Sequence, residues 1–468
     1  MKTICIIGAG PSGLFCAHKL LRKYNEHMIK KDFRIIILES GEKPSARLCP
    51  GRGEGICRKC SYCSILSGGG GAGLFSDGKI IQDLNVGGHN STVFSLSEKE
   101  KESYISYITK TLVDYDGVSK YKGKPKEKIQ QDYNRRLSAV NLQAKYYGVL
   151  HMGSKNLSHI MGGFIGDLVN SGCIEIQYNR RVTRIEKLQN RYYLYGEKTF
   201  ICAADYVVMA VGKSGASWLK EVLQPLGAVF RKNGFYFGLR IEMPQKYLMP
   251  LAEISFDPKI YRELDNGRKI KMHCFCRKGR VIMARYEDCV VAGGHSPFTE
   301  NNSSFEVEQY GNFNVLLYYP KTYDFNKMLE RFKEVSKHSL LVQTLDDFRN
   351  NKVPESRVPP AYDRIRQMQV GNIRETIQDD FFTHEFLAFI DSLNQVFPGI
   401  AEGSNMLYGP SVEWCMDTVD VSENMETDLP NLFAIGDGAG LSQGIVYSAS
   451  TGIIAAECII ERMMQNET

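Results

Sequence analysis

The sequence predicts an α/β protein, with a Rossmann-like nucleotide-binding domain assembled from discontinuous segments and an α+β substrate domain. Three stretches carry that prediction. Residues 3–40, "TICIIGAGPSGLFCAHKLLRKYNEHMIKKDFRIIILES", read as strand, glycine turn, helix and strand. Residues 427–463, "TDLPNLFAIGDGAGLSQGIVYSASTGIIAAECIIERM", read as strand, small-residue turn and long helix. Between them, "CIEIQYNRRVTRIEK" and "RYYLYGEKTFICAADYVVMAVGKSG" alternate as short strands and end on the apolar "VVMAVG".

In the first stretch the apolar strand runs into Gly8-x-Gly10-Pro11-Ser12-Gly13. Gly8 permits a tight turn, Gly10 lets the backbone approach a pyrophosphate, and Gly13 lets helix and strand pack closely. The helix, with Leu14, Ala17, His18, Leu20 and Leu21 at near-helical spacing, offers its free N–H groups and positive end to phosphates. The second strand ends on Glu39, followed by Ser40, where a carboxylate accepts hydrogen bonds from ribose hydroxyls. An acid there disfavours a ribose 2′-phosphate. This unit alone does not choose between NAD and FAD.

The last stretch resembles the second fingerprint of FAD-dependent oxidoreductases, of the glutathione-reductase type. That resemblance implies that Gly436 and Asp437 bind the ribityl and pyrophosphate region. It also implies that Gly444, Ile445 and Val446 lie near the flavin ring, with a helix start favouring negative charge on the reduced flavin. In the middle segment, "VVMAVG" resembles the A-T-G element of the same superfamily, with Val211 in place of Thr and Gly212 closing it. A residue at the position of Val182 commonly contacts the adenine in that superfamily. A separate NAD(P) domain is not visible.

Residues 64–78, "SILSGGGGAGLFSDG", hold six glycines. Glycine loses more freedom on folding than other residues, so such a run needs a reason. The expectation is that Ser67, Gly68, Gly69 and Gly70, with Arg47 upstream, leave room for the cofactor and present N–H groups to it. Just before stand Cys49, Cys57, Cys60 and Cys63. Their spacing fits a [4Fe–4S] cluster or zinc. A redox dithiol and reduced thiols packed beside the cofactor are the other readings. A second pair, Cys274 and Cys276 in "HCFCRKG", falls on one side of a strand, where it could line a substrate pocket.

The remaining features set limits. The chain has 468 residues, 43% hydrophobic and 24% charged, with 13 cysteines and a net charge of +5. No apolar run is long enough to cross a bilayer. No signal peptide is read, so a cytoplasmic address without membrane attachment is expected. The stretch "KYKGKPKEKIQQDYNRR" carries seven basic residues against two acids. A solvated face is its first reading and RNA contact the alternative.

Six stretches together resemble a bacterial family of NAD(FAD)-utilising dehydrogenases: "GAGPSGLFCA", "CRKCSYCSILSGGGGAGLFSDGK", "GFYFGLRIEMP", "HCFCRKG", "LYGPSVEW" and "LFAIGDGAGLSQGIVYSASTG". The resemblance implies FAD and redox chemistry without naming a substrate. In "LHMGSKNL", Leu150 and Lys155 depart from that family's usual Arg and Asp. The expected organisation is 1–94, 145–222 and 401–468 for the FAD-binding domain, 95–144 for a charged helical insertion, and 223–400 for the substrate domain. The expected function is hydride transfer between flavin N5 and a small molecule, with NAD(P)H as a transient donor and a redox partner protein as a further acceptor. His295, Tyr408 and Glu413, with Cys274 and Cys276, are the candidate catalytic residues. A flavin-dependent RNA-modifying enzyme and a non-catalytic flavin sensor are the alternatives.

Overall fold

The structure is a computed structural model. It describes the chain apart from residues 27–32, 51–57, 59, 61, 76–77, 89–92, 94, 116–119, 126, 287–288, 296–308, 338, 354–367, 414–415 and 466–468. For 120–122, 154–155, 280, 286 and 295 only the backbone is described.

A five-stranded parallel sheet forms the first half. Its central strand, Lys2–Ile7, pairs with Phe33–Leu38 on one side and Tyr206–Met209 on the other. Ile174–Gln177 and Leu432–Ala434 complete the edges. The central strand is nearly continuously apolar because both faces are covered. On one face lie the helices Pro11–Asn25 and Ile445–Gln465. They approach so closely that a Cβ on Gly452 would overlap the Ser12 carbonyl. On the other face, the antiparallel meander 184–204 brings Cys202 to 3.8 Å from Cys5, sulfur to sulfur. Parallel pairing sends the Gly8–Gly13 turn, Glu39, Gly212 and Gly436 to the same edge of the sheet, where α/β proteins bind ligands.

The second half is built on an eight-stranded mixed sheet. Phe235–Pro244, Tyr310–Tyr319 and Lys269–Cys276 run antiparallel at its centre. Its core is separate from that of the first half and includes Phe237, Phe313, Phe332, Phe386 and Phe389. Helices Phe325–Ser336 and Asp380–Val396 cover it.

Two differences from the sequence-based organisation follow from strand pairing. Met406–Glu413, assigned by sequence to the last nucleotide-binding segment, lies inside the eight-stranded sheet, between Leu340–Thr344 and Phe235–Pro244. Leu340–Thr344 adds a further strand to that sheet. It is buried from Leu340 to Gln343, and a fully buried strand has no alternation to read. Gln143–Lys145, at the end of the predicted insertion, pairs with Lys259–Glu263 in the same sheet.

The insertion's first helix, Glu98–Val113, starts at a capping box between Ser97 and Glu100. It fastens to the first half through Tyr104, whose hydroxyl donates to Glu457 at 2.7 Å. In the basic stretch, Arg136 donates to the Val396 carbonyl at 2.8 Å and Arg135 pairs with Asp132 at 2.6 Å. Among the described residues, no helix is long and apolar enough to cross a membrane.

Candidate functional site

Three chain segments meet at the open edge of the parallel sheet. In the first, Gly8 has φ +114°, and a Cβ there would lie 2.9 Å from the Ala210 carbonyl carbon. A Cβ on Gly13 would meet Ala210 and Ile6 at 3.1 Å. Gly10 precedes helix Pro11–Asn25 in an extended conformation, and no side chain caps that helix. Its first-turn N–H groups and positive end therefore face the edge.

Glu39 is buried, and its carboxylate accepts the Ala9 N–H and the Gly41 N–H, each at 2.8 Å. The residue read from sequence as a ribose acceptor thus also fastens the glycine turn. Each of its oxygens keeps a further lone pair. Ser40 sits beside it, with its hydroxyl 3.4 Å from the carboxylate.

Within the chain, the glycine run also makes room for the protein's own close contacts. A Cβ on Gly68 would meet Arg47 Cδ at 2.6 Å, and one on Gly69 would meet Pro44 at 2.8 Å and Tyr178 at 2.9 Å. One on Gly70 would meet Leu74 at 2.6 Å, and one on Gly71 would meet Pro11 at 3.0 Å. The missing side chains make room for the protein's own atoms. The Arg47 guanidinium, read as a cofactor contact, points into this loop. It donates to the carbonyls of Ser64, Ile65, Gly69 and Gly71 at 2.7–3.0 Å, and to Gly68 at 3.4 Å. Burial lowers its pKa to about 10 against the opposing charges of Glu39 and Cys63. Arg47 positions the loop. The Gly70 N–H then ties that loop to the Ala9 carbonyl at 2.8 Å.

The middle segment arrives through Ser214, whose hydroxyl lies 3.0 Å from that of Ser67. Val182, read from sequence as an adenine contact, is buried. Tyr178, which sequence reasoning passed over, has a buried hydroxyl with no partner among the described residues. Burial pushes its pKa up to about 12, with Glu39 adding to the effect.

The last segment supplies Gly436, Asp437 and Gly444. Gly436 has φ +77°, and its missing Cβ leaves space that Ser12 Oγ would contest at 2.6 Å. The Gly436 N–H donates to the Thr451 hydroxyl at 3.1 Å. Asp437 accepts from Ser442 at 2.7 Å. Burial raises its pKa, while Lys213, the Ser442 hydroxyl and the Gly444 N–H oppose that. Gly444 has φ +103° and immediately precedes helix Ile445–Gln465. A Cβ on Gly73 would touch Ile445 at 3.2 Å, so the glycine run reaches the start of this helix; Val446 is buried just inside it. Open space lies over both Gly212 and Gly444.

A second polar cluster sits in the mixed sheet. Asp257 is buried and pairs with Lys79 at 3.3 Å and Lys259 at 3.1 Å, and it accepts from Tyr147 at 2.6 Å. Burial alone would raise its pKa, yet Lys259, Lys79 and the Tyr147 hydroxyl hold it well below the ordinary value. Lys79, just past the glycine run, also donates to the Phe275 carbonyl at 2.6 Å.

Glu413 pairs with Lys271 at 3.0 Å, and its Oε2 lies 3.5 Å from His273 Nδ1. Burial holds His273 well below its ordinary pKa, reinforced by Lys259, Lys271 and Lys213. Lys213 therefore acts on this cluster and on Asp437 alike. Tyr408 donates to Glu242 at 2.7 Å, and burial raises the Glu242 pKa to about 7. Tyr408 and Glu413 both lie on the strand Met406–Glu413.

The side chain of His295 and the whole of Cys57 lie outside the described residues. Among the described residues, no group of three or more His, Cys, Asp or Glu side chains could hold a metal ion, and no disulfide joins Cys49, Cys60 and Cys63.

No protein-family model matches the chain. An uncharacterized protein of Clostridium beijerinckii is 23% identical over 494 residues, covering 98% of this chain and 80% of that one. Among solved structures, a putative FAD-containing monooxygenase from Photorhabdus luminescens aligns with 100% of this chain and 89% of its own, at 12% identity and a TM-score of 0.42. Glycine oxidase from Geobacillus kaustophilus aligns with 99% of this chain and 95% of its own, at 11% identity and a TM-score of 0.39. At such identities and scores, function has to be read from the chain's own residues.

Proposed function

We propose that this protein is an FAD-dependent oxidoreductase acting on a small molecule. The observation that carries the proposal is the meeting of three distant segments at one sheet edge, with open space over Gly212 and Gly444. A mononucleotide would need only the first segment. A dinucleotide reaching from Glu39 to the helix start at Ile445 needs all three.

The residues present fit that cofactor. The uncapped start of helix Pro11–Asn25 suits a diphosphate. Glu39 retains lone pairs for ribose hydroxyls. The unpartnered Tyr178 hydroxyl offers a further polar contact beside Glu39. Asp437 and the N–H groups at the start of helix Ile445–Gln465 suit the ribityl and ring end. Bound there, FAD would supply two-electron redox chemistry, with NAD(P)H a candidate donor.

The second half contributes a group that holds a proton near neutral pH, Glu242 beside the Tyr408 hydroxyl, and a neutral imidazole, His273, placed to accept one from a substrate. Lys79 and Lys213 connect that half to the sheet edge.

The test is direct. Purified protein should show a flavin spectrum, and heat-released cofactor should match FAD at one per chain. Glu39→Ala should lower flavin occupancy at least tenfold while secondary structure persists. Folded protein that is colourless and takes up no added FAD would overturn the proposal.

A further inference from the structure

Arg240 is completely buried, and Gly294 makes room for it, since a Cβ on that glycine would overlap its guanidinium. Nε donates to Asn312 Oδ1 at 2.7 Å and Nη1 to Asn314 Oδ1 at 2.9 Å. Both partners are neutral amides. Nη2 donates to the Cys274 carbonyl at 2.9 Å and faces two sulfurs, Cys274 Sγ at 3.6 Å and Cys276 Sγ at 3.8 Å. Among the described residues no carboxylate lies within 4.0 Å of it. A buried cation needs a counter-charge. In direct reach of Nη2 the groups able to supply one are the two thiols, while Glu242 acts on Arg240 from farther off.

The backbone supports the same conclusion. His273 pairs with Asn314 and Cys276 with Asn312, so three steps on one strand oppose two on the other. This is a β-bulge, a device found beside active sites. Cys274 sits in it at φ +53°, a conformation a non-glycine residue rarely adopts. In a regular strand, residues two apart are separated by about 6.7 Å, near the upper limit for a disulfide. A bulge bends the strand, and here the Cys276 thiol reaches the Cys274 sulfur in a hydrogen bond. Cys274 keeps part of its surface accessible, while Cys276 is buried.

We propose that Cys274 and Cys276 form a reversible dithiol–disulfide couple, with Cys274 as the attacking thiolate held by Arg240 and Cys276 as the resolving thiol. The co-reactant is a low-molecular-weight disulfide. The Cys274 thiolate attacks one of its sulfurs, forming a mixed disulfide and expelling a thiolate. Cys276 then attacks Cys274 Sγ. The protein disulfide closes, and the second half of the reagent leaves with the Cys276 proton. Two electrons pass from the pair to the reagent. The hydrogen bond from Cys276, Arg240 and Lys79 lower the Cys274 pKa against the effect of burial, consistent with its role. None of this depends on FAD.

The test uses the full-length native protein equilibrated in glutathione buffers from fully reducing to fully oxidising. Remaining thiols are trapped by alkylation, and the tryptic peptide 272–277, which holds both cysteines, is read by mass spectrometry. The peptide should lose both alkyl tags together as the glutathione disulfide fraction rises, and regain both on reduction. Cys276→Ser should instead accumulate glutathione on Cys274. In reduced protein, Arg240→Lys should slow alkylation of Cys274 at pH 7 at least several-fold and move its pH profile upward. If both cysteines of folded wild-type protein stay fully alkylated at every ratio, or each takes up glutathione without closing a disulfide, the proposal fails.

Discussion

Replacing Glu242 with Gln should change how the stability of the second half responds to pH. The carboxyl is buried, and burial raises its pKa from the ordinary 4.5 to about 7 despite the Tyr408 hydroxyl, the Val281 N–H and Arg240. A carboxyl whose pKa rises on folding keeps a proton that the unfolded chain has already released. Its contribution to stability is therefore fully present below about pH 4.5, declines as pH rises, and is gone above about pH 7. The gap of about 2.5 pH units, at about 1.4 kcal/mol each, amounts to about 3.5 kcal/mol. About 2.5 kcal/mol of it falls between pH 5 and pH 8. Gln cannot titrate but keeps an acceptor for Tyr408. Urea unfolding of wild type and Glu242→Gln at pH 5 and pH 8 isolates the effect as a difference of differences. Wild type should lose about 2.5 kcal/mol more than the variant over that interval. Equal losses, within about 0.5 kcal/mol, would refute the assignment of a neutral, buried Glu242.

Other outcomes follow from the same geometry. Tyr408→Phe removes a donor that favours the ionised carboxylate, so the Glu242-linked loss should move to higher pH in the same titration. Asp257→Asn leaves Lys79 and Lys259 without their shared counter-charge and should cost about 3–5 kcal/mol by urea unfolding near neutral pH. Because folding depresses the Asp257 pKa, its contribution is present above about pH 3.8 and is lost as pH falls. The variant should therefore show a flatter acid limb. Arg47→Met strands several glycine-loop carbonyls and should expose residues 64–75 to limited proteolysis and lower flavin retention. Unchanged proteolysis would show that Arg47 is not what shapes the loop. Gly436→Ala forces a side chain into a positive-φ position against Ser12 and should cost about 1–3 kcal/mol, read as a lower unfolding midpoint.

The elements legible in the sequence are those whose reason is local. The Gly8–Gly13 turn, the strand ending at Glu39 and the strand leading to Asp437 all carry their pattern within forty residues, and the structure brings them to one edge. The glycine run was visible, but its close contacts within the chain were not. The atoms that exclude side chains at Gly68 and Gly69 belong to Arg47, Pro44 and Tyr178, and a sequence does not show which distant ring will lie over which Cα. Met406–Glu413 was placed in the wrong half for a similar reason, since a strand's partners are set by long-range pairing. Arg240 gave no signal at all. Its partners Asn312 and Asn314 are more than seventy residues away, and only strand register makes them a unit. The one available hint was the alternation of Cys274 and Cys276, which placed them on one side without revealing the bulge between them.

The edge strand Leu432–Ala434 and the helix Ile445–Gln465 come from the last forty residues of the chain, yet they complete a sheet begun at Lys2. The mixed sheet, closed by residue 413, has every strand in hand earlier. On the ribosome, the later domain of the sequence can therefore finish first, while the amino-terminal strands wait with one flank bare. A chain halted after about residue 425 should keep the mixed sheet and leave apolar surface of the parallel one uncovered, an invitation to chaperones that ends once residues 432–465 are in place.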